Sequence, residues 1–383
     1  MADKPVVLFI DDDSFMLKAL LRAALRLRPD WQYYLCEDAQ HWPSTLPSGV
    51  VPDLVISDFL MPDINGDMVL SQVMAVYPQS VRVLMTGDTT EEVVSSVSVQ
   101  AHFVLGKPFS EHDLQDLCSC IDRLRMLHLP DDLRRKLGTG DNLPVLPAVI
   151  RQLRQALTAA EPDLTQIVDL IAHEPVIAAR LMQLANSAFL GYSRSTHSLS
   201  EALMRLGLRL VEAIVTLMAV EQSAGSQQQG SEHRQLSERA FRLAATVRQL
   251  AQATLLPAEQ QDLLYVSALL SALGPLSKLQ LHAGGGPVVP ATINGIASDS
   301  VMTVYLLTLW GYPAELCELE LLISSQGQTP DPADLRPFIL FIARQYLLQC
   351  SRDYLLQMAK LVAHPGLQQA LQQLPLLNGH SAV

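Results

Sequence analysis

Asp58 closes the apolar run Leu54-Val55-Ile56-Ser57 and is followed by Met61-Pro62-Asp63-Ile64-Asn65-Gly66. Upstream, Val6 to Ile10 runs straight into Asp11-Asp12-Asp13, and downstream Phe103 to Leu105 leads to Lys107-Pro108. Three short apolar runs therefore each end in a charged group. Laid side by side in a parallel sheet, they put an acidic pocket and one lysine at the carboxyl edge, where open α/β sheets hold their ligands. Asp11, Asp12 and Asp58 crowded there repel one another, so at least one pKa rises unless a cation neutralises them. A hard, oxygen-seeking ion such as Mg2+ suits the site, because it keeps waters and a phosphate oxygen among its ligands. With the metal and the Lys107 ammonium drawing off charge, the Asp58 carboxylate can attack a phosphorus in line to give an aspartyl phosphate. Thr86, at the end of a further apolar run and followed by the small Gly87, can offer its hydroxyl to the new phosphoryl oxygen.

The elements that must position these groups follow from periodicity. Met16, Leu20, Ala23 and Leu27 recur at helical spacing, entered through Asp13 as N-cap and left at Pro29. Trp31 to Cys36, Val81 to Met85 and Phe103 to Leu105 read as further strands. Ser110, with Asp113 three residues on, opens a last helix carrying Leu114, Leu117, Ile121 and Leu124. A five-fold alternation of strand and helix within about 125 residues predicts a doubly wound parallel sheet.

The pattern resembles the receiver domain of two-component response regulators. The resemblance is carried by Asp11-Asp12, Asp58, the Met61-Pro62 turn with Gly66, Thr86 and Lys107-Pro108. It implies a flavodoxin-like, five-stranded fold over residues 1–127 and a sensor histidine kinase as partner. It further implies Asp58 as phosphoacceptor, Asp12 and Asp58 as direct Mg2+ ligands, the Leu60 backbone carbonyl as a third, and Asp11 as a water-mediated one. Thr86 and Lys107 are then the phosphoryl sensors. The chain departs from the family at Val104, where an aromatic switch residue usually stands, with Phe103 one position earlier. Strand neighbours point to opposite faces, so the offset turns the ring away from the usual surface. Leu60 and Asp88 hold positions that tune phosphoryl loss, and an apolar Leu60 does not orient a hydrolytic water. A long-lived phosphoryl state is expected.

At 383 residues the chain has room for roughly two or three domains. Its net charge of −12 argues against a standing nucleic-acid surface, since phosphate backbones are held mainly by Lys and Arg. Five cysteines without paired ligand motifs suggest neither a disulfide framework nor a zinc site. Cys118-Xaa-Cys120 falls on a helix, where residues two apart face different ways. The start lacks a leader pattern and no apolar run approaches the roughly 20 residues of a membrane span, so a cytoplasmic protein is expected.

Residues 128–140 read as a short helical linker, with Pro130 starting a helix and Gly138 and Gly140 ending it. Beyond it the pattern is helical throughout. Leu143-Pro144-Val145-Leu146-Pro147, His173-Glu174-Pro175, Leu184-Ala185-Asn186-Ser187-Ala188 and Ser198 to Glu201 with Leu206-Gly207-Leu208 resemble the HDOD domain. The resemblance implies an all-α, HD-related domain over residues 141–345, leaving residues 346–383 as a helical extension and tail. HD-type phosphohydrolases hold a metal with converging imidazoles and a carboxylate. Where they carry Leu-Leu-His-Asp-Xaa-Gly, this chain has Leu269-Leu270-Ser271-Ala272-Leu273-Gly274. A family histidine is replaced by Asp299, and paired histidines by Ser324-Ser325. A domain without hydrolytic activity or bound cofactor is expected. Gly311-Tyr312-Pro313 reads as a helix break; His173, His197, His233 and His282 are scattered. Asn186 suits either binding or capping of the next turn. Ser223 to Glu232 and Ala283 to Pro290 read as loops.

The expected function is that of a response regulator whose helical domain acts by binding a downstream protein, without nucleic acid or membrane. A homodimer through the receiver or linker helix is compatible with this pattern. An alternative is a receiver-controlled phosphodiesterase acting on (cyclic di)nucleotides, or a pseudo-enzyme that still binds a nucleotide. A transcription regulator is opposed by the acidic balance and the lack of a helix-turn-helix signature.

Overall fold

The structure, a computed structural model, describes residues 4–87, 101–139, 147–159, 161–186, 192, 194–208, 210–212, 214–215, 230–283, 285–322, 329–331, 333–348, 350–362 and 364–374. Asp88, Leu143 to Leu146, Ser187-Ala188 and Ser324-Ser325 lie outside them, as does the end of the tail.

Five parallel strands, β1 (Val6–Ile10), β2 (Gln32–Cys36), β3 (Leu54–Asp58), β4 (Val81–Thr86) and β5 (Phe103–Gly106), stand in the order β2-β1-β3-β4-β5. The order steps outward both ways from β1 and β3, so the carboxyl ends of those two central strands face a topological switch point. Helix α1 (Ser14–Leu27) starts at Asp13, whose carboxylate accepts from the Phe15 amide. Helix α2 (Gly66–Val76) follows β3, and α3 (Glu111–Met126) starts on the Ser110 and Asp113 capping box. Among the described residues, one element departs from strict alternation. Between β2 and β3 lies a 3-10 helix, Ala39–Thr45, capped by Asp38 and carrying Pro43, which cannot supply an internal N–H to a longer α-helix.

Each sheet face buries its own alternate residues. Leu8, Ile10, Val55 and Leu84 pack on one side with Trp42, Val69 and Leu70. Val7, Phe9, Ile56, Val83 and Leu105 pack on the other, in a cluster that continues without a break into the helical domain. The receiver and the helical domain thus share one continuous apolar cluster.

The linker helix α4 (Asp131–Gly138) is docked, with Leu133 and Leu137 buried. Gly138 is its last residue rather than a stop beyond it. Its carbonyl accepts from the fully buried Arg82 at 3.1 Å.

Among the described residues, the remainder is mainly helical and carries a two-stranded hairpin, Thr292–Ile293 with Ile296–Ala297. Its helices include α5 (Pro147–Leu157), α6 (Leu164–Ala172), α7 (Pro175–Ala185), α8 (Leu199–Leu206), α9 (Gly230–Ala253), α10 (Ala258–Leu270), α11 (Leu273–Ala283), α12 (Ser298–Leu309), α13 (Ala314–Leu322), α14 (Leu335–Leu347), α15 (Arg352–Val362) and α16 (Pro365–Gln373). The expected loop at Ser223 to Glu232 is corrected at its end: Gly230, Ser231 and Glu232 open α9, and residues 223–229 are not among those described. Among the described residues, no helix is long and apolar enough to cross a membrane.

Candidate functional site: an acidic cluster at the sheet edge

The carboxyl ends of β1, β3 and β5 bring the expected groups together. Oxygens of Asp11, Asp12 and Asp58 lie within 4.8 Å of one another. Lys107 places Nζ 2.7 Å from Asp58 Oδ1 and 3.5 Å from Asp11 Oδ2. The Phe59 amide also donates to Asp58 Oδ1, at 2.9 Å. Both bonds to Asp58 fall on one oxygen, so its carboxylate is held in a fixed orientation while its second oxygen takes neither.

Asp11 is 1% exposed and Asp12 is exposed, a contrast that two adjacent residues at a strand end produce by pointing opposite ways. Burial holds the Asp11 carboxyl above the usual range. The Asp13 amide and the Lys107 charge oppose that rise, and the Asp58 charge adds to it. Repulsion between the acids is therefore present, as their crowding predicts, but desolvation is the larger cause. An all-oxygen donor set of this kind fits a hard divalent cation, and a receiver domain implies Mg2+ at such a cluster.

The surrounding turns are shaped to this site. Gly66 donates its N–H to the Phe59 carbonyl at 2.9 Å, and a Cβ at position 66 would stand 1.9 Å from the Asp58 carbonyl oxygen. Only glycine lets α2 start that close to the strand end. Leu60 has its side chain in solvent, 65% exposed. Thr86 is buried at the end of β4, and its carbonyl accepts from the Lys107 amide at 2.7 Å, which ties the ends of β4 and β5 together.

Val104 packs with the core on one side of the sheet, whereas the Phe103 ring joins the other and lies against Gly311 of the helical domain. The one-residue offset therefore aims the aromatic at the second domain.

In that domain the segment Leu269–Gly274 is occupied by packing. Ser271 donates its hydroxyl to the Ala268 carbonyl at 2.7 Å and ends α10. Ala272 is buried, and the Gly274 amide donates to Thr303 Oγ1 at 2.9 Å. Asp299 pairs with Lys278 at 3.1 Å. Gly311-Tyr312-Pro313 joins α12 to α13, and the Tyr312 hydroxyl donates to the Ala179 carbonyl at 2.6 Å. Asn186 accepts from the Thr196 amide and donates to the Thr196 carbonyl, so its amide holds the next turn. His173 stacks on Phe241 with ring centroids 3.9 Å apart, and burial keeps the His197 pKa below its usual value.

Cys118 and Cys120 face different neighbours. Cys120 donates its thiol to the Thr308 carbonyl at 3.1 Å, and burial pushes its pKa up to about 12. Cys118, pushed up by burial to about 11, lies near Arg28 and Asp122.

One buried pair was not foreseen. Glu174, with no exposed surface, lies 3.0 Å from His233 Nε2 of α9. The only local signal is a carboxylate just before Pro175, where an apolar helix begins.

A doubly wound sheet with an acid cluster and a lysine at its switch point defines the receiver class. Residues 7–119 match the family model of the response regulator receiver domain, and residues 143–283 match that of the HDOD domain. The chain is thus a response regulator with an N-terminal receiver domain and a C-terminal, HD-related HDOD domain.

A protein of Treponema pallidum named only as uncharacterized is 31% identical over 186 residues, covering 45% of this chain and 36% of that protein. A protein-glutamate methylesterase/protein-glutamine glutaminase of Anaeromyxobacter dehalogenans is 26% identical over 147 residues, covering 38% and 43%. The chain thus spans less than half the length of either relative. Among solved structures, the signal receiver domain of an HD domain-containing protein from Pseudomonas fluorescens is 22% identical with a TM-score of 0.30, covering 34% of this chain and 96% of that one. The MmoQ response regulator of Methylococcus capsulatus is 16% identical with a TM-score of 0.47, covering 60% and 97%.

Proposed function

We propose that a sensor histidine kinase phosphorylates Asp58 and that the HDOD domain carries the signal onward by binding a downstream protein in the cytoplasm. The observation that carries this reading is the convergence of Asp11, Asp12 and Asp58 with the Lys107 ammonium 2.7 Å from Asp58. Asp58 is the nucleophile and bonds to phosphorus as the P–N bond to the kinase histidine breaks and its imidazole leaves; Lys107 follows the charge onto the phosphoryl group, and Thr86 donates to one of its oxygens. Asp12, Asp58 and the Leu60 carbonyl would hold Mg2+ directly, with Asp11 acting through water. Bound there, the ion would offset charge on the transferring phosphoryl oxygens. The division into receiver (1–127), linker (128–140), HDOD domain (141–345) and extension (346–383) belongs to the same proposal. The family matches lie inside the two larger units.

The HDOD domain acts without hydrolysis in this reading. Supporting it, a methyl group stands at Ala272, the Ser271 hydroxyl is spent on α10, and Asp299 is neutralised by Lys278. None of these offers the imidazoles that a hydrolytic metal centre uses.

Incubation with a kinase or acetyl phosphate and Mg2+ should place one phosphoryl group on Asp58, and Asp58→Asn should abolish the label. Stoichiometric labelling of the Asn variant would overturn the assignment. With Leu60 leaving the hydrolytic water unoriented, the label should persist for minutes or longer after the donor is removed. Loss within seconds would contradict that part of the reading.

A further inference from the structure

We propose that His102 and Phe103 form a joint through which Asp58 acts on the HDOD domain, that β5 connects the two, and that phosphorylation loosens the joint. This rests on the reading of Asp58 as phosphoacceptor.

Three contacts meet at these two residues. The His102 side chain faces the linker: its Nδ1 accepts from the Arg82 amide at 3.0 Å, and its Nε2 lies 3.3 Å from the Gly138 carbonyl that Arg82 also holds. The His102 backbone carbonyl accepts from Gln183 Nε2 of α7 at 2.8 Å. The Phe103 ring seats on Gly311, where a Cβ would stand 2.4 Å from Cε1. Gly311 has φ +74, a conformation that favours glycine, so the break between α12 and α13 is shaped to admit the ring. One dipeptide therefore touches the linker, α7 and the α12–α13 break.

The same strand reaches the charge cluster. Side chains alternate along a strand, so Phe103, Leu105 and Lys107 share a face, and the four-residue span is about 13 Å. Lys107 is bonded to Asp58 at one end while Phe103 is fitted against Gly311 at the other. A phosphoryl group adds roughly 1.5 to 2 negative charges within reach of Lys107. Drawing Lys107 toward it pulls on the strand, and the close fit at Gly311 leaves no slack to absorb a shift. Close-packed contacts of this kind respond by switching between discrete arrangements.

The joint also has room to rearrange. A half-open pocket of about 140 Å3 lies beside it, lined from both domains by Phe103, Leu117, Gln183 and Trp310 among others. On that side the ring has space to move into, whereas on the Gly311 side it has none. Among the described residues, β5 is the edge strand of the sheet, with no sixth strand beside it.

Hydrogen exchange read by mass spectrometry on the full chain tests the joint, with Asp58 labelling followed in the same samples. In wild type, acetyl phosphate and Mg2+ should raise exchange several-fold in peptides covering residues 101–106 and 308–312 and leave residues 54–57 protected. Phe103→Ala should show the same rise without a phosphodonor and still take label on Asp58. Gly311→Ala, which crowds the ring from the other side, serves if Phe103→Ala does not fold. Labelled wild type with unchanged exchange in both segments would overturn the joint alone. Fully protected Phe103→Ala would do the same. Failure of wild type to take label on Asp58 would remove the phosphoacceptor reading as well.

Discussion

The receiver and the HDOD domain each press a glycine onto the backbone of an aspartate, and the surroundings of the two aspartates differ. A Cβ at Gly66 would stand 1.9 Å from the Asp58 carbonyl oxygen, and one at Gly274 1.8 Å from that of Asp299. In the receiver this closeness lets α2 begin beside a carboxylate that two other acids and a lysine surround. In the HDOD domain it lets α11 pack on α12, while Asp299 is matched by one lysine at the half-exposed edge. The same steric device positions a charge cluster in one region and closes a helix pair in the other.

The strongest way to break this comparison is to fill the two glycine positions. Gly274→Val should destabilise the helical domain by on the order of 4 kcal/mol in denaturant unfolding, because backbone must move to admit the side chain. Gly66→Val should instead be detected first as lost phosphoryl labelling of Asp58. Equal effects of both variants on labelling would erase the distinction.

Comparable in size is the effect at the buried pair of the helical domain. His233→Ala leaves the Glu174 carboxyl buried without that partner and should cost about 3–5 kcal/mol. Replacing both residues by methionine should restore most of the loss, and a double variant as unstable as the single one would show that packing, not pairing, sets the cost.

Lys107→Ala should lower the labelling rate of Asp58 by about ten- to a hundredfold, the size of a lost hydrogen bond to a charged group. Unfolding of the helical domain should hardly change. A labelling rate equal to wild type would remove Lys107 from the chemistry.

The smallest effect concerns Glu201, whose carboxyl is held below the usual range first by the Thr196 hydroxyl and then by Arg205. A depressed acid pKa stabilises the fold above the ordinary value of 4.5 and loses that contribution as pH falls through the lower folded value. The side chain is 48% exposed, so Glu201→Gln should flatten the acid limb of stability by less than about 1 kcal/mol.

The receiver was legible because its signals are local. Apolar runs of strand length end in acids, Asp13 caps α1, and Ser110 with Asp113 marks the start of α3. Long-range pairings left no such trace. Glu174 and His233 are 59 residues apart, Gln183 and the His102 carbonyl 81, and Cys120 and Thr308 188. The offset of Phe103 from Val104 could be read as a ring turned away from its usual surface, but not as a ring turned toward Gly311. The start of α9 was misread because Gly230, Ser231 and Glu232 have turn composition, while the polar first turn of a helix draws on the same residues.

The central claim is that covalent chemistry in this chain is confined to Asp58. It is tested most directly by incubating the full chain with acetyl phosphate, Mg2+ and a cyclic dinucleotide, then mapping the phosphoryl group by mass spectrometry and assaying the dinucleotide. The account predicts one label, on Asp58, absent in Asp58→Asn, with the dinucleotide intact. Metal-dependent hydrolysis of the dinucleotide, or a label that survives in Asp58→Asn, would contradict it.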